Sequence, residues 1–438
     1  MKTMTNQPTK KLSRICHPER SEGSGLGKRE ILSAALVFTW ILVSYSLAAA
    51  PLPELTIPNG FGVNIHFTGD PKDLDLIRDG GFKFIRMDLG WGGVEREKGN
   101  YNFERTGYDA LTDGCSKRVI RILYILDYSN HLYESDQSVR TEEGRKAFAA
   151  FAEAAAKRYK GKGILWEVWN EPNIKQFWTP QPSADDYCKL VEAAAPLVKQ
   201  ADPSGLVVAP ATSTIPFDWL EACFKNGLLK WIDVLSVHPY RSQPPETVIK
   251  DYEKLRELIK RYAPQGKDIP IISGEWGYSN INWDKAQLSE EQQARFLARE
   301  FLINLYQKIS VSIWYDWKND GADPNEREHH FGTVMHDLKP KAAYLAAKTL
   351  SSTLPGYSID SRLDLGSDKD FAFKLIDGNN QAIAIWTVGD EHQITLQTPT
   401  GKGTLIDMLA KKQEISWKDN ALTLTVSQSP QYLLIEAK

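Results

Sequence analysis

The sequence predicts a (β/α)8 barrel (TIM barrel) followed by a small β-sandwich, and three observations support this fold class. From residue 60 onward, eight apolar runs, each followed by a helical pattern, occupy about 290 residues. Most of these runs are continuously apolar, as in parallel strands that are covered on both faces. After Pro355 the pattern changes to short β-rich segments separated by turn residues. A long strand–helix alternation of this kind is typical of a closed barrel.

The strand and helix patterns follow one another in the order that a barrel requires. The eight candidate strands are residues 61–67, 82–91, 119–128, 164–173, 206–213, 233–240, 270–280 and 311–317. The intervening stretches, such as RKAFAAFAEAAAKRY, place apolar residues at helical spacing. A doubly wound sheet is the alternative, but such sheets rarely contain eight units. We therefore predict a barrel domain over residues 51–355 and a β-sandwich domain over residues 356–438, to which LPELTIP near residue 55 could add a strand.

The N-terminal 50 residues have the composition of a targeting segment. Lys28 and Arg29 precede the apolar run ILSAALVFTWILVSYSLAAA, which spans residues 31–50 and ends in small residues. This pattern fits a cleaved signal peptide, and the run is also long enough for a retained membrane anchor. Either outcome predicts an exported protein, in the periplasm or outside the cell.

Charge and cysteine content exclude several classes of function. The net charge of −3 provides no basic field for a nucleic-acid partner. No CxxC spacing occurs, so a zinc site is not expected; Cys115, Cys188 and Cys223 allow one disulfide without fixing the pair. Nucleotide-binding glycine motifs and the GxSxG nucleophile motif are also absent from the sequence. We expect no metal and no cofactor.

Polar residues collect at the predicted C-terminal ends of the strands, where barrel enzymes place their active sites. Strand four ends in Asn170-Glu171, within LWEVWNEPN, and strand seven carries Glu275-Trp276, within SGEWGYS. The other strand ends contribute Arg86, Asp88, Asp127, Tyr128, His238, Tyr240, Trp314, Tyr315, Asp316 and Trp317.

The glutamates at the ends of strands four and seven form the pair that glycoside hydrolysis needs. One carboxylic acid protonates the departing oxygen, and the other carboxylate attacks the sugar or activates water. A single glutamate at a strand end is often only an ion-pair partner or a helix cap. Glu171 and Glu275 both lie beside Trp, Asn or Gly at opposing parts of one barrel rim, and this arrangement favours the catalytic interpretation.

The motifs WNEPN and GEWGY resemble those of the retaining glycosidases of clan A. From Phe61 to about Pro355, the sequence resembles glycoside hydrolase family 39, and in particular bacterial exopolysaccharide glycosidases of the Psl type. The two glutamate motifs are specific for the clan, less specific for the family, and uninformative about the sugar.

The resemblance implies a role for each matched residue. Glu171 would be the general acid/base and Glu275 the nucleophile, with the charge of Glu275 raising the pKa of Glu171. Arg86 would keep Glu275 charged, while His238 and Tyr240 would form hydrogen bonds near it. The implied sugar contacts are Asn170 at the 2-hydroxyl, Trp314 under the glycon, Trp276, Asp127, Tyr128, and Trp178 as a platform for the aglycon. Trp178 fits packing under a loop equally well.

The sequence therefore predicts a retaining enzyme that cleaves β-glycosidic bonds in a polysaccharide, internally. An exo-acting β-xylosidase-like or arabinosidase-like enzyme of the same clan is the first alternative. A non-catalytic carbohydrate-binding barrel is the second, although it does not explain why both glutamates are present. His329 and His330, in EREHHFG, are expected in a rim loop after strand eight.

Overall fold

The computed structural model describes residues 50–68, 70–281 and 287–436. The apolar run over residues 31–49 lies outside the described residues, so both interpretations of it stay open. Among the residues that are described, no helix combines the length and the apolar character needed to cross a bilayer.

Eight parallel strands close into a barrel, as predicted. They are β1 (Phe61–Asn64), β2 (Phe84–Gly90), β3 (Arg121–Asp127), β4 (Leu165–Val168), β5 (Leu206–Ser213), β6 (Val234–His238), β7 (Ile271–Trp276) and β8 (Ser312–Trp314). Neighbours in sequence pair with one another, and β1 closes the barrel by pairing with β8 as well as β2.

A helix of nine or more residues follows each barrel strand. These helices are α1 (Pro71–Asp79), α2 (Tyr108–Lys117), α3 (Glu142–Arg158), α4 (Ala184–Ala201), α5 (Phe217–Lys225), α6 (Ile249–Tyr262), α7 (Glu290–Tyr306) and α8 (Ala342–Thr353). Shorter helical turns form at Trp91–Val94, Leu228–Trp231, Pro245–Val248 and Arg327–His330. The ends follow the usual chemistry: Ser289 and Gln292 form a capping box at the start of α7.

The barrel strands are continuously apolar because both of their faces are buried. One set of side chains fills the barrel interior, including Phe84, Leu123, Leu165 and Ile272. The other set packs beneath the surrounding helices in the main hydrophobic core. This two-sided burial makes the strand ends the places where polar side chains can reach solvent.

The predicted strands are correct in number and order, and the fifth, residues 206–213, is correct at both ends, but the other seven extend too far at their C-terminal ends. Strand β4 ends at Val168 rather than at residue 173, and β7 ends at Trp276 rather than at residue 280. After β4, Trp169 and Glu171 adopt φ values of 71° and 46°, which no strand contains. In this turn the Glu171 N–H donates to the Ala211 carbonyl of the adjacent strand β5, 2.9 Å away.

Beyond the barrel the chain is antiparallel β-structure, as predicted. Its strands are β9 (Ser358–Arg362), β10 (Asp370–Asp377), β11 (Asn380–Thr387), β12 (His392–Gln397), β13 (Gly401–Asp407), β14 (Lys412–Trp417), β15 (Ala421–Val426) and β16 (Gln431–Ile435). Six form one sheet in the order β9-β10-β11-β16-β13-β14, and β12 pairs with β15 in a sandwich-like arrangement. The segment around Ile57 exchanges backbone hydrogen bonds with Gly356 and Tyr357 without becoming a sheet strand.

The three cysteines considered above are free and buried. The Cys188 thiol lies 3.6 Å from the backbone carbonyl of Cys223 and donates to it. The disulfide that the sequence allowed is therefore not formed among them.

A buried ion pair joins the barrel to the C-terminal sheet. Arg299, on α7, donates from Nε and Nη2 to the two carboxylate oxygens of Glu246, at 2.6 and 2.7 Å. The indole of Trp386, on β11, donates to the same carboxylate at 2.7 Å. All three side chains are buried, so each charge depends on its partner for solvation.

Arg299→Ala should lower the free energy of unfolding by about 3–5 kcal/mol, because Glu246 would remain buried without its cation. Arg295→Ala, on the same helix, is the matched control. The Arg295 side chain is 24% exposed, pairs with the exposed Glu291 and donates to the Ser429 hydroxyl at 2.8 Å, so its loss should cost about 1–2 kcal/mol. Urea unfolding monitored by tryptophan fluorescence measures the free energy of unfolding of both variants. Equal losses would contradict the stabilising role given to the Arg299–Glu246 pair.

Candidate active site

A cleft of about 540 Å3 opens at the C-terminal ends of the barrel strands. Its walls come from the loops after β4, β5, β6 and β8, together with the end of β7 itself. The lining residues are Asn170, Glu171, Ile174, Gln176, Phe177, Ser213, Thr214, Tyr240, Arg241, Ser242, Glu275, Tyr315, Arg327, Glu328 and Phe331. Both glutamates predicted from the sequence thus face one cavity.

Arg86, on β2, lies fully buried beneath the cleft and binds four side chains. Its Nε donates to Glu167 at 2.6 Å, and Nη1 donates to Glu275 at 2.5 Å and to Asn64 at 3.2 Å. Its Nη2 donates to the Asn170 carbonyl oxygen at 2.8 Å. Burial disfavours its charge, but Glu167 and Glu275 together more than compensate and raise the pKa of Arg86. One guanidinium thereby fixes the relative positions of side chains from β1, β2, β4 and β7.

Glu171 lies in the turn after β4, with its carboxylate in the cleft. Oxygen Oε1 is 3.0 Å from Nδ1 of His238, at the end of β6. Burial raises the pKa of Glu171 to about 7, although the charge of Arg86 opposes the shift. The raised pKa was expected from the charge of Glu275, but its main cause in the structure is the removal of Glu171 from water.

Glu275 is the more exposed carboxylate of the pair, and two donors hold it. Tyr240 donates from its hydroxyl to Oε1 at 2.8 Å, while Arg86 binds Oε2. A carboxylate oxygen of Glu275 lies within 4.8 Å of one from Glu171, and both lie within that distance of a ring nitrogen of His238. Tyr240 therefore occupies the predicted position beside Glu275, but His238 contacts Glu171 instead.

Two glycines in SGEWGYS allow Glu275 to approach its neighbours. A Cβ at Gly274 would lie 2.2 Å from Ser236 Oγ and 3.0 Å from Glu167 Oε1. A Cβ at Gly277 would lie 1.7 Å from the backbone oxygen of Tyr315. Any larger residue at either position would push β7 away from β6 or β8 and move Glu275.

The two histidines at the barrel mouth are held in opposite charge states. His238 is buried, and burial lowers its pKa to about 4, so the ring is neutral near pH 7. Burial alone would lower the pKa of His66, which follows β1. The adjacent Asp316 carboxylate has a larger opposite effect and raises the pKa of His66 to about 9. The His66 and Asp316 side chains are 3.3 Å apart.

Asp127 and Tyr128, at the end of β3, lie on the inner side of the site. The Asn170 amide donates to the Tyr128 hydroxyl at 3.1 Å, and the Tyr128 ring stacks on Phe177 with centroids 5.6 Å apart. Asp127 is buried, and burial together with the nearby Asp88 raises its pKa well above the usual range. Neither Asp127 nor Tyr128 lines the cleft.

The predicted tryptophan contacts with sugar are wrong for this geometry. Trp178, Trp276 and Trp314 are each fully buried, and none lines the cleft. Trp178 packs against Trp169 and Tyr187, the packing arrangement that the sequence left as its alternative. The large indole rings near the strand ends pack in the core, and the partly exposed aromatic side chains of the cleft are Phe177 and Tyr315, with the buried Phe331 beneath them.

Sequence reasoning missed Glu167 and did not assign Glu328. Glu167 is a charged residue inside the apolar strand β4, and that mismatch was the available signal, since a buried carboxylate needs a partner. Glu328 lies in the 3-10 turn Arg327–His330 and accepts from the Tyr315 hydroxyl at 3.2 Å. The turn forms part of the predicted loop after β8, and His329 and His330 lie in it.

Two groups of side chains have the spacing of potential metal ligands among the described residues. They are Glu171 with His238 and Glu275, and His66 with Asp316 and Asp320. In the first group, Arg86 and Tyr240 already donate to Glu275, and His238 contacts Glu171. In the second group, His66 and Asp316 neutralise each other as an ion pair. Neither arrangement requires a cation.

Three solved or curated proteins illustrate what the chain resembles. A β-xylosidase from Geobacillus stearothermophilus is 30% identical over 139 residues, covering 27% of each chain. A family 39 glycoside hydrolase from Bacteroides cellulosilyticus superposes with a TM-score of 0.77 and 26% identity, covering 86% of this chain and 81% of that one. A family 39 β-xylosidase from Caulobacter crescentus, with a TM-score of 0.61 and 17% identity, covers 89% and 98% and shares the fold.

The sequence also matches a known family over most of the barrel. The curated β-xylosidases are matched over only about a quarter of their own length, at 27% and 25%. The family model of the cellulases (glycosyl hydrolase family 5) matches residues 53–321. This match covers more than half of the chain and includes both cleft glutamates. The chain therefore belongs to the cellulase family, glycosyl hydrolase family 5, within a fold that it shares with glycoside hydrolases of family 39.

Proposed function

We propose that this protein hydrolyses β-glycosidic bonds with retention of anomeric configuration, using Glu171 and Glu275. The observation that carries the proposal is the approach of their carboxylate oxygens to within 4.8 Å across one cleft. Retaining enzymes hold their carboxyl groups about 5–5.5 Å apart, whereas inverting enzymes leave about 6.5–9.5 Å for a water. The spacing here supports direct attack on the sugar.

Glu171 has the properties of the general acid. Because the pKa of Glu171 is about 7, its carboxyl group is protonated in a large fraction of the molecules in neutral solution. The protonated group can donate to the departing oxygen. Nε2 of His238 has no hydrogen-bond partner among the described residues. A buried N–H without a partner is costlier than a bare lone pair, which favours the proton on Nδ1. His238 then donates to Oε1 of Glu171, leaving Oε2 to carry the acid proton toward the substrate.

Glu275 has the properties of the nucleophile. Arg86 and Tyr240 donate to its two oxygens and orient the carboxylate toward the cleft. Attack on the anomeric carbon forms a glycosyl ester as the glycosidic bond breaks and Glu171 transfers its proton to the leaving oxygen. Glu171, now ionised, removes a proton from water, which cleaves the ester and restores both groups. Asn170, held by Arg86 and Tyr128, is positioned to bind the sugar 2-hydroxyl.

The proposed substrate is a β-linked polysaccharide that is cut internally. Two partly exposed aromatic side chains of the cleft, Phe177 after β4 and Tyr315 after β8, offer apolar faces to sugar rings. An exo-acting β-xylosidase is the second candidate, and the names of the curated relatives favour it. The likeness to exopolysaccharide enzymes of the Psl type stays a prediction.

Product sizes separate these candidates. Full-length protein is incubated with mannans, glucans, xylans, galactans and bacterial exopolysaccharides, and products are sized over time. Early oligomers from one polymer support internal cleavage, and early xylose supports the exo-acting alternative. Sugar-induced thermal stabilisation without any product would instead identify a carbohydrate-binding barrel. Proton NMR of the first product tests retention, because an inverting enzyme releases the opposite anomer.

Glu171→Gln should slow hydrolysis of an unactivated glycoside by about 10²–10⁴-fold, because no acid assists the leaving group. For a dinitrophenyl glycoside, the same variant should lose much less of the rate of glycosyl-ester formation, because dinitrophenolate leaves without acid assistance. Glu275→Gln should abolish turnover of both substrates. Steady-state and burst kinetics measure these effects.

Glu328→Gln serves as the control for that pair, since Glu328 is a third carboxylate of the same cleft. This substitution should lower the rates for both substrates by a similar factor, and by less than the two catalytic-pair substitutions do. A trapped sugar adduct on any residue other than Glu275 would refute the assignment.

The value of kcat/KM for an unactivated substrate should fall above about pH 7, approaching tenfold per pH unit, because the acid form of Glu171 is lost. The sign follows from the raised pKa: the protonated form persists below pH 7 and ionises above it. A pH–rate profile measures this fall in kcat/KM at alkaline pH, and the profile of Glu171→Gln should not show it. A wild-type profile that stays flat to pH 9 would exclude Glu171 as the acid.

His238 should remain neutral, and His66 should remain protonated, between pH 5.5 and 8. Burial holds the pKa of His238 near 4, and Asp316 outweighs burial to hold that of His66 near 9. NMR of protein labelled with ¹⁵N-histidine reports both ring states, with His238→Asn and His66→Asn used to assign the signals. Titration of His238 near pH 6.5 would contradict the role given to its Nδ1 proton.

A further inference from the structure

The chain enters the barrel at the pole opposite the cleft. We call this pole the floor: residues 50–52 and the seven loops that lead from a helix into strands β2–β8. The floor loops are residues 80–83, 118–120, 159–164, 202–205, 226–233, 263–270 and 307–311. The Ala50 N–H donates to the Ser204 carbonyl at 2.9 Å, and Arg121 donates to the Pro51 carbonyl at 2.8 Å. Leu52 packs against the apolar side chains inside the barrel.

The apolar run of the sequence ends where this attachment begins. Residues 31–49 precede Ala50 directly, and no polar linker separates them from the floor. One residue spans at most about 3.6 Å. If this run lies in a bilayer, the floor must therefore lie at the surface of that bilayer.

The floor loops are basic although the whole chain is slightly acidic. Seven basic residues oppose three acidic ones there, in a chain whose net charge is −3. The basic residues are Lys83, Arg118, Lys160, Lys162, Lys230, Lys267 and Lys308, and the acidic residues are Asp202, Asp233 and Asp268.

Two of the three acids are committed to internal bonds. Asp202 is buried and accepts from Ser204, Gly161 and Trp166. Asp233 binds Lys199 and the backbone of Val207. Within the part of the chain that the structure describes, Lys160, Lys230 and Lys308 have no carboxylate partner, and all three are exposed. Their charges therefore face outward.

Helix ends account for only part of this charge. Helix C-termini also point toward the floor, and Lys117, Lys157, Lys225 and Lys260 in their last turns favour the helix dipoles. The loop lysines lie beyond those turns and make no such contribution. Helix stabilisation therefore does not explain their excess.

One apolar side chain projects from the same surface. Val119 is 79% exposed, more than the other exposed large hydrophobic residues, Leu345 and Leu409. Its φ of 58° is unfavourable for a β-branched residue, so local backbone energetics do not explain its presence. An exposed valine on a surface that also carries lysines suits the boundary between lipid headgroups and acyl chains.

We propose that the floor is a docking surface for an anionic lipid bilayer, to which residues 31–49 tether it. The lysines bind lipid phosphates, Val119 enters the headgroup layer, and the cleft faces away from the membrane. Each lysine near an anionic membrane surface contributes attraction that falls off within a Debye length. The cleft then remains open to a polymer in the space beyond the membrane.

Fluorescence quenching in vesicles tests the proposal on the full-length chain. Cys16 is replaced by serine, and a fluorophore is attached at Val119→Cys or, as the positional control, at Leu409→Cys on the C-terminal sheet. The vesicles contain phosphatidylcholine alone, or equal parts of phosphatidylcholine and phosphatidylglycerol, with spin-labelled headgroups. In the anionic vesicles, quenching at residue 119 should exceed quenching at residue 409 by at least about threefold.

Charge reversal supplies the second arm of the test. Changing Lys160, Lys162, Lys230 and Lys308 to Glu should reduce quenching at residue 119 to its value in neutral vesicles. The matched control changes four exposed lysines of the C-terminal region, Lys369, Lys411, Lys412 and Lys418, to Glu and should change nothing. Hydrolysis of a soluble substrate should be equal in both variants.

Three outcomes would overturn the docking surface. These are equal quenching at the two positions, quenching that is independent of phosphatidylglycerol, and a chain that stays in the supernatant with both kinds of vesicle. None of them affects the proposed hydrolysis, which is measured without a membrane.

Discussion

The arrangement of the cleft depends on the buried guanidinium of Arg86. It donates to Glu167, Asn64, Glu275 and Asn170 at once and brings four strands of the barrel to one point. Two carboxylates near one buried cation balance its desolvation, which a single partner would do less well. Because the same group binds Glu275 and Asn170, a shift in one of these contacts propagates to the other. Lysine could not replace it, since an ammonium lacks the planar fork that reaches four acceptors.

Around this cation, the two cleft glutamates lie in different surroundings, as the proposed division into acid and nucleophile requires. Glu171 is buried, and its carboxylate lies 3.0 Å from the neutral imidazole of His238. Glu275 is more exposed and accepts from a cation and a phenol. The barrel provides both surroundings because strand ends β4 and β7 meet the same cleft from different sides. Identical side chains can therefore serve as acid and as nucleophile.

The sequence was sufficient to predict the fold and the placement of Glu171 and Glu275 at one cleft, because both follow from local patterns. Continuous apolar runs identify buried parallel strands, and polar residues at their ends identify the mouth. The fate of each aromatic residue was not predictable in the same way. Trp314 is buried and its neighbour Tyr315 lines the cleft, and the residue types alone do not predict which of the two does so. The contact between His238 and Glu171 likewise depends on the tilt of β6 against β4, which is a property of the closed barrel.

The positive φ of Glu171 has a consequence for the evolution of the molecule. A non-glycine residue at φ 46° costs free energy, and so does a carboxylic acid removed from water. Nε2 of His238 and Oε1 of Glu167, which have no hydrogen-bond partner among the described residues, add to that cost near the same site. Selection for thermal stability alone would favour substitutions at this turn first, with glycine or asparagine well suited to its backbone. The proposed hydrolysis would explain why a glutamate occupies this turn, and a relative without that activity is expected to lack Glu171 while keeping the barrel.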